Sequence, residues 1–190
     1  MKDSTSLNER IAQRVRDLRT AASLSLDGLS QRCGVSRSML SLIERGETSP
    51  TAVVLDKLAA GLGVPLASLF EAAPPVNEPV SRRADQATWQ DPHSGYLRRN
   101  ISPGGIQSPT RIVEVSFPPQ GRVTYEAGAR SPAVLQQIWI LEGRMEVTYG
   151  ACVYALAQGD CLAIPLDQPN SFHNPGDAPA RYAVVLTTEN

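Results

Sequence analysis

The apolar residues of this chain change period once, and that change points to two folding units of different class. From residue 6 to 71 they recur every three or four positions, the spacing of one stripe along a helix. Later they come in short runs rich in β-branched and aromatic residues, separated by Gly and Pro. These are "RIVEVSF" (Arg111 to Phe117), "QIWIL" (Gln137 to Leu141), "MEVTY" (Met145 to Tyr149), "CLAIP" (Cys161 to Pro165) and "RYAVVLT" (Arg181 to Thr187). Between the two patterns stands "AAPPVNEPVSRR", Ala72 to Arg83, with three prolines and no apolar period. It reads as a linker stiffened by proline. A chain of 190 residues is long enough for two small domains. The expectation is an all-α domain over 1–71, a Pro-rich linker and lead-in over 72–94, and an all-β domain over 95–190.

Bulk properties exclude some classes. No apolar run approaches the roughly 18 residues of a membrane helix, and the polar N-terminus "MKDSTSLNERIAQRVRDLR" is unlike a secretory signal. Net charge is −1, so no global basic excess advertises nucleic acid, although a small basic face can hide in a neutral average. Cys33, Cys152 and Cys161 form an odd set without CxxC spacing, which argues against a disulfide framework or zinc knuckle and fits the cytoplasm. Cys152 and Cys161 can meet across neighbouring strands as a redox pair; buried free thiols are the commoner outcome.

Local signals divide the helical half. Ser6-Leu7-Asn8-Glu9 is a capping box, followed by Ile11, Val15, Leu18 and Ala22 on one face. Ser25 opens a second helix that Gly34 ends. Ser36 opens a third, "SRSMLSLIERG", with Leu40 and Ile43 inward and Arg37, Ser38 and Ser41 on the other side. "SPTAVVLDKLAAGLGV" gives a fourth with Leu55, Leu58, Ala59 and Leu62 as its core face, and "PLASLF" a fifth with Pro65 near its first turn.

A short helix, a turn with Gly and a second short helix opening on small polar and basic residues form a helix-turn-helix. At these residues the chain resembles a family. "LSLDGLSQRCGVSRSMLSLIERGETSPTAVVLDKLAAGLGVPLASLF" is similar to the phage-repressor-like (Cro/C1, or XRE) DNA-binding domain, over roughly residues 7 to 71. The resemblance implies a lambda-repressor-like five-helix domain whose third helix enters the major groove. It places Arg37 and Ser38 at base edges, where an arginine can be bidentate to guanine. Leu42 falls at a further base-facing position, suited to a thymine methyl or to packing. Ser36, Ser41, Arg45, Thr48 and Ser49 fall where phosphate contacts position the protein. Leu26 and Gly28 depart from the family's usual glutamine and acidic residue, and Ser30 from its alanine.

In the second half, "ILEGRMEV" and "ALAQGDCLAIPLDQPNSFHNPGDAPARYAVV" resemble a cupin, an all-β jelly-roll barrel with a mouth for a ligand or metal. Metal cupins hold their cation with histidines and a glutamate, and the resemblance carries those positions onto Gln136, Asn170 and, in an irregular loop, the neighbourhood of Arg130 and Pro132. None is a good ligand for a transition metal. The chain has two histidines, so a three-histidine site is excluded by counting. His93 lies in a polar loop, and His173 stands at an odd offset from Asn170, on the opposite strand face. No metal and no cofactor are expected.

What remains is an apolar pocket with a few amides. Alternation places Gln136, Ile138 and Ile140 on one face of their strand and Gln137, Trp139 and Leu141 on the other. Asn170 and Phe172 share a face by the same rule, with Tyr125 and Arg111 at the rim. The candidate ligand-binding residues are Gln136, Asn170, Phe172, Ile138, Tyr125 and Arg111. The expected protein is a non-enzymatic cytoplasmic transcription regulator. Its first domain binds an inverted-repeat operator in double-stranded DNA; its second forms a homodimer and senses a small-molecule effector. Two rivals remain open: a cupin metalloenzyme (isomerase or oxygenase) with a helix-turn-helix appendage, and an antitoxin-like repressor with a protein partner.

Overall fold

The computed structural model of the chain describes residues 7–64, 66–70, 78–104, 106, 108–126 and 134–188. Four α-helices come first: α1 (Leu7–Ala21), α2 (Leu26–Cys33), α3 (Arg37–Glu44) and α4 (Ala52–Leu62). The last three open on hydroxyls that accept a first-turn N–H, Ser25 from Gly28, Ser36 from Met39 and Thr51 from Val54. Gly34 and Gly63 end α2 and α4 in the left-handed region. Ile11, Val15, Leu29, Leu40, Ile43, Leu55 and Leu58 are sealed in the core between them.

The expected fifth helix is a 3-10 turn over Leu66–Phe70. So short a segment after a terminating glycine delivers Leu69 and Phe70 to the core and goes no further. Ala22 falls past the end of α1, exposed in a turn, and not on the helix's buried face. Ser6 of the expected capping box and Pro65 lie outside the described residues.

Ten strands are described after the helices: β1 (Thr88–Gln90), β2 (Leu97–Asn100), β3 (Thr110–Phe117), β4 (Arg122–Tyr125), β5 (Val134–Glu142), β6 (Arg144–Tyr149), β7 (Cys152–Ala157), β8 (Cys161–Pro165), β9 (Asn170–His173) and β10 (Ala180–Thr188). They form a six-stranded sheet, β1-β2-β3-β10-β5-β8, and a four-stranded one, β4-β9-β6-β7. The sheets meet face to face: Phe172 of β9 stacks on Tyr182 of β10 with ring centres 6.0 Å apart. β5 alternates buried and exposed from Val134 to Ile140, as a pleated strand with one face on a core must. Gly143, at φ 79°, turns β5 into β6 where the Cα of Ala180 would stand 3.1 Å from an added Cβ.

Three expectations change here. The second domain's sheet begins at Thr88, ahead of the expected residue 95, because β1 pairs with β2. Leu141 is half-buried instead of facing outward with Trp139: the register shifts between Arg181 and Tyr182, opposite Glu142 and Ile140, and leaves Leu141 as the extra residue of a bulge. Cys152 and Cys161 are exposed free thiols, neither buried nor on neighbouring strands, since β7 and β8 are edge strands of different sheets.

The two domains share a seam. The Ala52 amide, which has no partner inside α4, donates to Asp91 Oδ1 at 2.8 Å. Phe70 lies against Trp89, ring centres 5.5 Å apart, and Lys57 Nζ meets Glu126 Oε2 at 2.8 Å. From Phe70 an aromatic series continues through Trp89, Tyr96, Phe117 and Tyr182 into the space between the sheets.

Candidate nucleic-acid interface and interdomain pocket

The eight residues expected to face nucleic acid lie along α3 and the turn after it. Leu40 and Ile43 are buried, which leaves Ser36, Arg37 and Ser38 exposed at the start of the helix and Ser41 and Leu42 half-buried along it. Arg37 Nε stands 3.4 Å from Asp27 Oδ1, with both side chains about two-thirds exposed (67% and 70%). Such a pair is weak and exchangeable. Ser36 Oγ is 3.1 Å from Ser38 Oγ. Arg45 grips the Glu47 carboxylate through Nε and Nη2 at 2.6 and 2.9 Å, and its Nη1 donates to Ser41 Oγ. That guanidinium holds the Glu47 carboxyl below its ordinary range. Ser49 Oγ accepts from Asn8 Nδ2 at 2.6 Å, and Thr48 is half-buried. Behind the face, Arg19 binds Glu44 with two bonds of 2.6 and 2.8 Å and the Leu24 carbonyl with a third, fixing the end of α3 to α1. An arginine already bonded to a surface carboxylate presents the geometry that a phosphate oxygen pair also takes.

The second constellation is a pocket of about 60 Å³ between the domains. Tyr96, Arg98, Tyr125, Gln136, Asn170, Phe172 and Tyr182 line it from the β domain, and Asp56 of α4 and Leu66 line it from the helical one. Gln136, Asn170, Phe172 and Tyr125 are thus brought together. Ile138 and Arg111 are not among its lining residues. Ile138 is fully buried in the core. The Arg111 guanidinium instead folds back onto the carbonyls of Ile106 and Ser108, at 2.9 and 3.3 Å.

The pocket's polar groups are unevenly satisfied. The hydroxyls of Tyr96 and Tyr125 are 3.1 Å apart. Burial pushes the Tyr96 phenol up to about 12 and those of Tyr125 and Tyr182 well up also, so all three are neutral at working pH. Asn170 Nδ2 donates to the Gln168 carbonyl at 3.3 Å, whereas Gln136 Nε2 has no partner. Arg98 is only 6% exposed, and neither its Nε nor its Nη2 has a partner. Its guanidinium carbon sits 5.1 Å from the ring centre of Phe70.

These donors do not fit the metal that a cupin implies. Gln136 and Asn170 offer neutral amides, and the buried Arg98 guanidinium beside them repels a dication. Arg130 and Pro132 lie outside the described residues. His173 is occupied by Glu146, Nδ1 to Oε2 at 2.9 Å, and His93 is exposed. Sequence reasoning missed Arg98, Asp56, Leu66, Tyr96 and Tyr182. Only Tyr182 carried a usable signal, because alternation along "RYAVVLT" places it on one face with Val184 and Leu186.

Residues 15–69 match the family model for a helix-turn-helix (HTH_3). Residues 115–186 match the model for a cupin domain (Cupin_2). The chain is 26% identical over 176 residues to the HTH-type transcriptional regulator SutR of Escherichia coli (strain K12), covering 90% of this chain and 91% of that one. The crystal structure of an HTH_3 family transcriptional regulator from Vibrio cholerae superposes with a TM-score of 0.78 at 26% identity, covering 97% of this chain and 98% of that one. Hydroxypropylphosphonic acid epoxidase from S. wedmorenis aligns over 95% of this chain and 97% of its own at 15% identity, with a TM-score of 0.48, a level that carries no chemistry across.

Proposed function

We infer that this chain, a helix-turn-helix domain joined to a cupin domain, is a sequence-specific DNA-binding transcription regulator whose cupin domain pairs two copies and senses a small metabolite. The observation that carries the reading is the match along both domains, in the same order, to transcription regulators. The exposed Arg37 and Ser38 at the start of a properly capped α3 support it. The two sheets serve as the jelly-roll barrel, and the 3-10 turn takes the place of a fifth helix. The pocket's amides, hydroxyls and guanidinium are suited to holding a ligand and ill suited to a catalytic metal, which favours sensing over turnover. One such domain covers a half-site, so a homodimer on an inverted repeat is expected, its half-sites roughly 34 Å apart or a multiple of that. A regulator of this kind works beside the chromosome in the cytoplasm; no helix among the described residues is long and apolar enough to cross a membrane.

Selection of bound duplexes from a random pool, followed by titration of the recovered sequence, tests the reading. Arg37→Ala is expected to weaken binding by about 1–3 kcal/mol and to relax preference at one base pair. Arg45→Ala is expected to weaken binding to all sequences alike and to flatten the salt dependence by about one unit of slope. Recovery of no common sequence sinks the regulator reading. Unchanged affinity and preference in Arg37→Ala displaces α3 as the reading helix.

A further inference from the structure

Arg98 is the least satisfied charge described in the molecule. It stands on β2, inside the six-stranded sheet, and it is 6% exposed. Two of its nitrogens are sealed from solvent without a hydrogen bond, and Gln136 Nε2 across the pocket is sealed and unbonded as well. Burial pulls the guanidinium below its ordinary value, a measure of how badly the site solvates a cation. The Phe70 ring offsets part of that cost by cation–π attraction. Elsewhere in the same chain a guanidinium of this kind finds a carboxylate: Arg19 takes both oxygens of Glu44, at 2.6 and 2.8 Å. A charge left without such a partner inside a protein is costly, and a group that supplies one is bound strongly.

We propose that the pocket beneath α4 binds a small organic acid as its carboxylate, with Arg98 as its cationic end and Gln136 as a second donor. Three features select this class. The unbonded groups are N–H donors, so they call for acceptor atoms. One guanidinium, its charge partly offset by the Asp56 carboxylate lining the same pocket, matches at most one negative charge and disfavours a dianion such as a phosphate monoester. The remaining walls, among them Val115, Val184 and Leu186, are apolar and suit a short carbon chain, which an inorganic ion lacks. A cavity of about 60 Å³ holds about four to six water-sized atoms, the size of a two- to three-carbon acid. Because Asp56 and Leu66 close the pocket, such a ligand touches the DNA-binding domain directly. That deepens the sensing role and rests on the regulator reading for its consequence alone.

The test is thermal unfolding and calorimetry of the full chain. The probes are acetate, propionate, lactate and pyruvate; acetamide, propionamide and lactamide as neutral partners; and chloride, sulfate and phosphate. At least one carboxylate is expected to raise the unfolding midpoint while its amide does not. Arg98→Met is expected to raise the midpoint of the ligand-free protein, because it removes a buried charge with two unbonded nitrogens, and to weaken the carboxylate on the order of a hundredfold. Arg98→Lys keeps the charge without the planar fork, and is expected to retain the preference for acid over amide at lower affinity. It remains informative if Arg98→Met does not fold. The proposal is overturned if no carboxylate binds, if amides bind as well as acids, if inorganic anions alone stabilise, or if Arg98→Met folds and is less stable than wild type without ligand. Titration of wild type with its selected duplex separates the two readings. DNA binding without carboxylate binding removes this site and keeps the regulator. Carboxylate binding without any selected DNA sequence does the reverse.

Discussion

Arg19 and Glu44 are 16% and 8% exposed, and between them they tie the end of α3 to α1 and to the Leu24 carbonyl. At the scale of single residues, a half-sealed ion pair therefore adds to the buried Leu40 and Ile43 in placing α3. Glu44→Gln keeps the shape and removes the charge, so Arg19 is left bonded to a neutral amide. The expected cost is about 2 kcal/mol in urea unfolding, below the full penalty for stranding a sealed charge because water reaches Arg19 in part. A loss under about 0.5 kcal/mol would class it with ordinary surface pairs. Residues whose role is local were legible in the sequence. Ser25, Ser36 and Gly34 act through their immediate neighbours, and each stands where its chemistry says. Arg98 was not legible. In "LRRN" only Leu97 is apolar, so no alternation marks which arginine turns inward. Its burial is decided by β1 and β3 on either side, and by a phenylalanine from the other domain.

The elements teach the same lesson through their contacts. α2 and α4 approach so closely at Gly61 that an added Cβ would stand 2.6 Å from the Cβ of Cys33. Gly61→Ala is expected to destabilise the protein by about 1–3 kcal/mol even though alanine is the better helix former by about 1 kcal/mol. Gly28, also helical, has only ordinary contacts around its missing Cβ, the nearest Ser25 Oγ at 3.4 Å. Gly28→Ala is therefore expected to stabilise by up to about 1 kcal/mol. Thermal or urea melts of the pair check both signs, and two shifts in one direction would show that propensity outweighs packing here. The long apolar strands β3, β5, β6, β8 and β10 were visible as runs. β1, β2 and β4 have only three or four residues each, too few for a period to emerge, and β7 is almost wholly exposed, so neither of its faces carries a core pattern.

For the whole molecule, the outer face of the six-stranded sheet is the surface that the proposed pairing of two copies would use. Trp139 is 52% exposed there, and Ile112 and Leu135 stand nearby on the same face at 39% and 36%. Aromatic groups are favoured at the centre of protein interfaces. Light scattering at micromolar concentration is expected to give a dimer, and Trp139→Asp a monomer that retains its fold. A monomeric wild type would remove this face from the assembly. The seam between the domains reaches further, into how such a gene can descend. The amide of Ala52 ends on Asp91, Phe70 lies on Trp89 and beside Arg98, and Asp56 and Leu66 close the pocket. A crossover within the stretch joining the halves would set an unrelated helical domain on this β domain. The hybrid would inherit Asp91 without its donor and Arg98 without its aromatic neighbour. Shuffling is therefore penalised at the join that looks most permissive in sequence. The two halves are expected to tolerate exchange only as a matched pair, with substitutions at 56, 66 and 70 needing answering substitutions at 89 and 98.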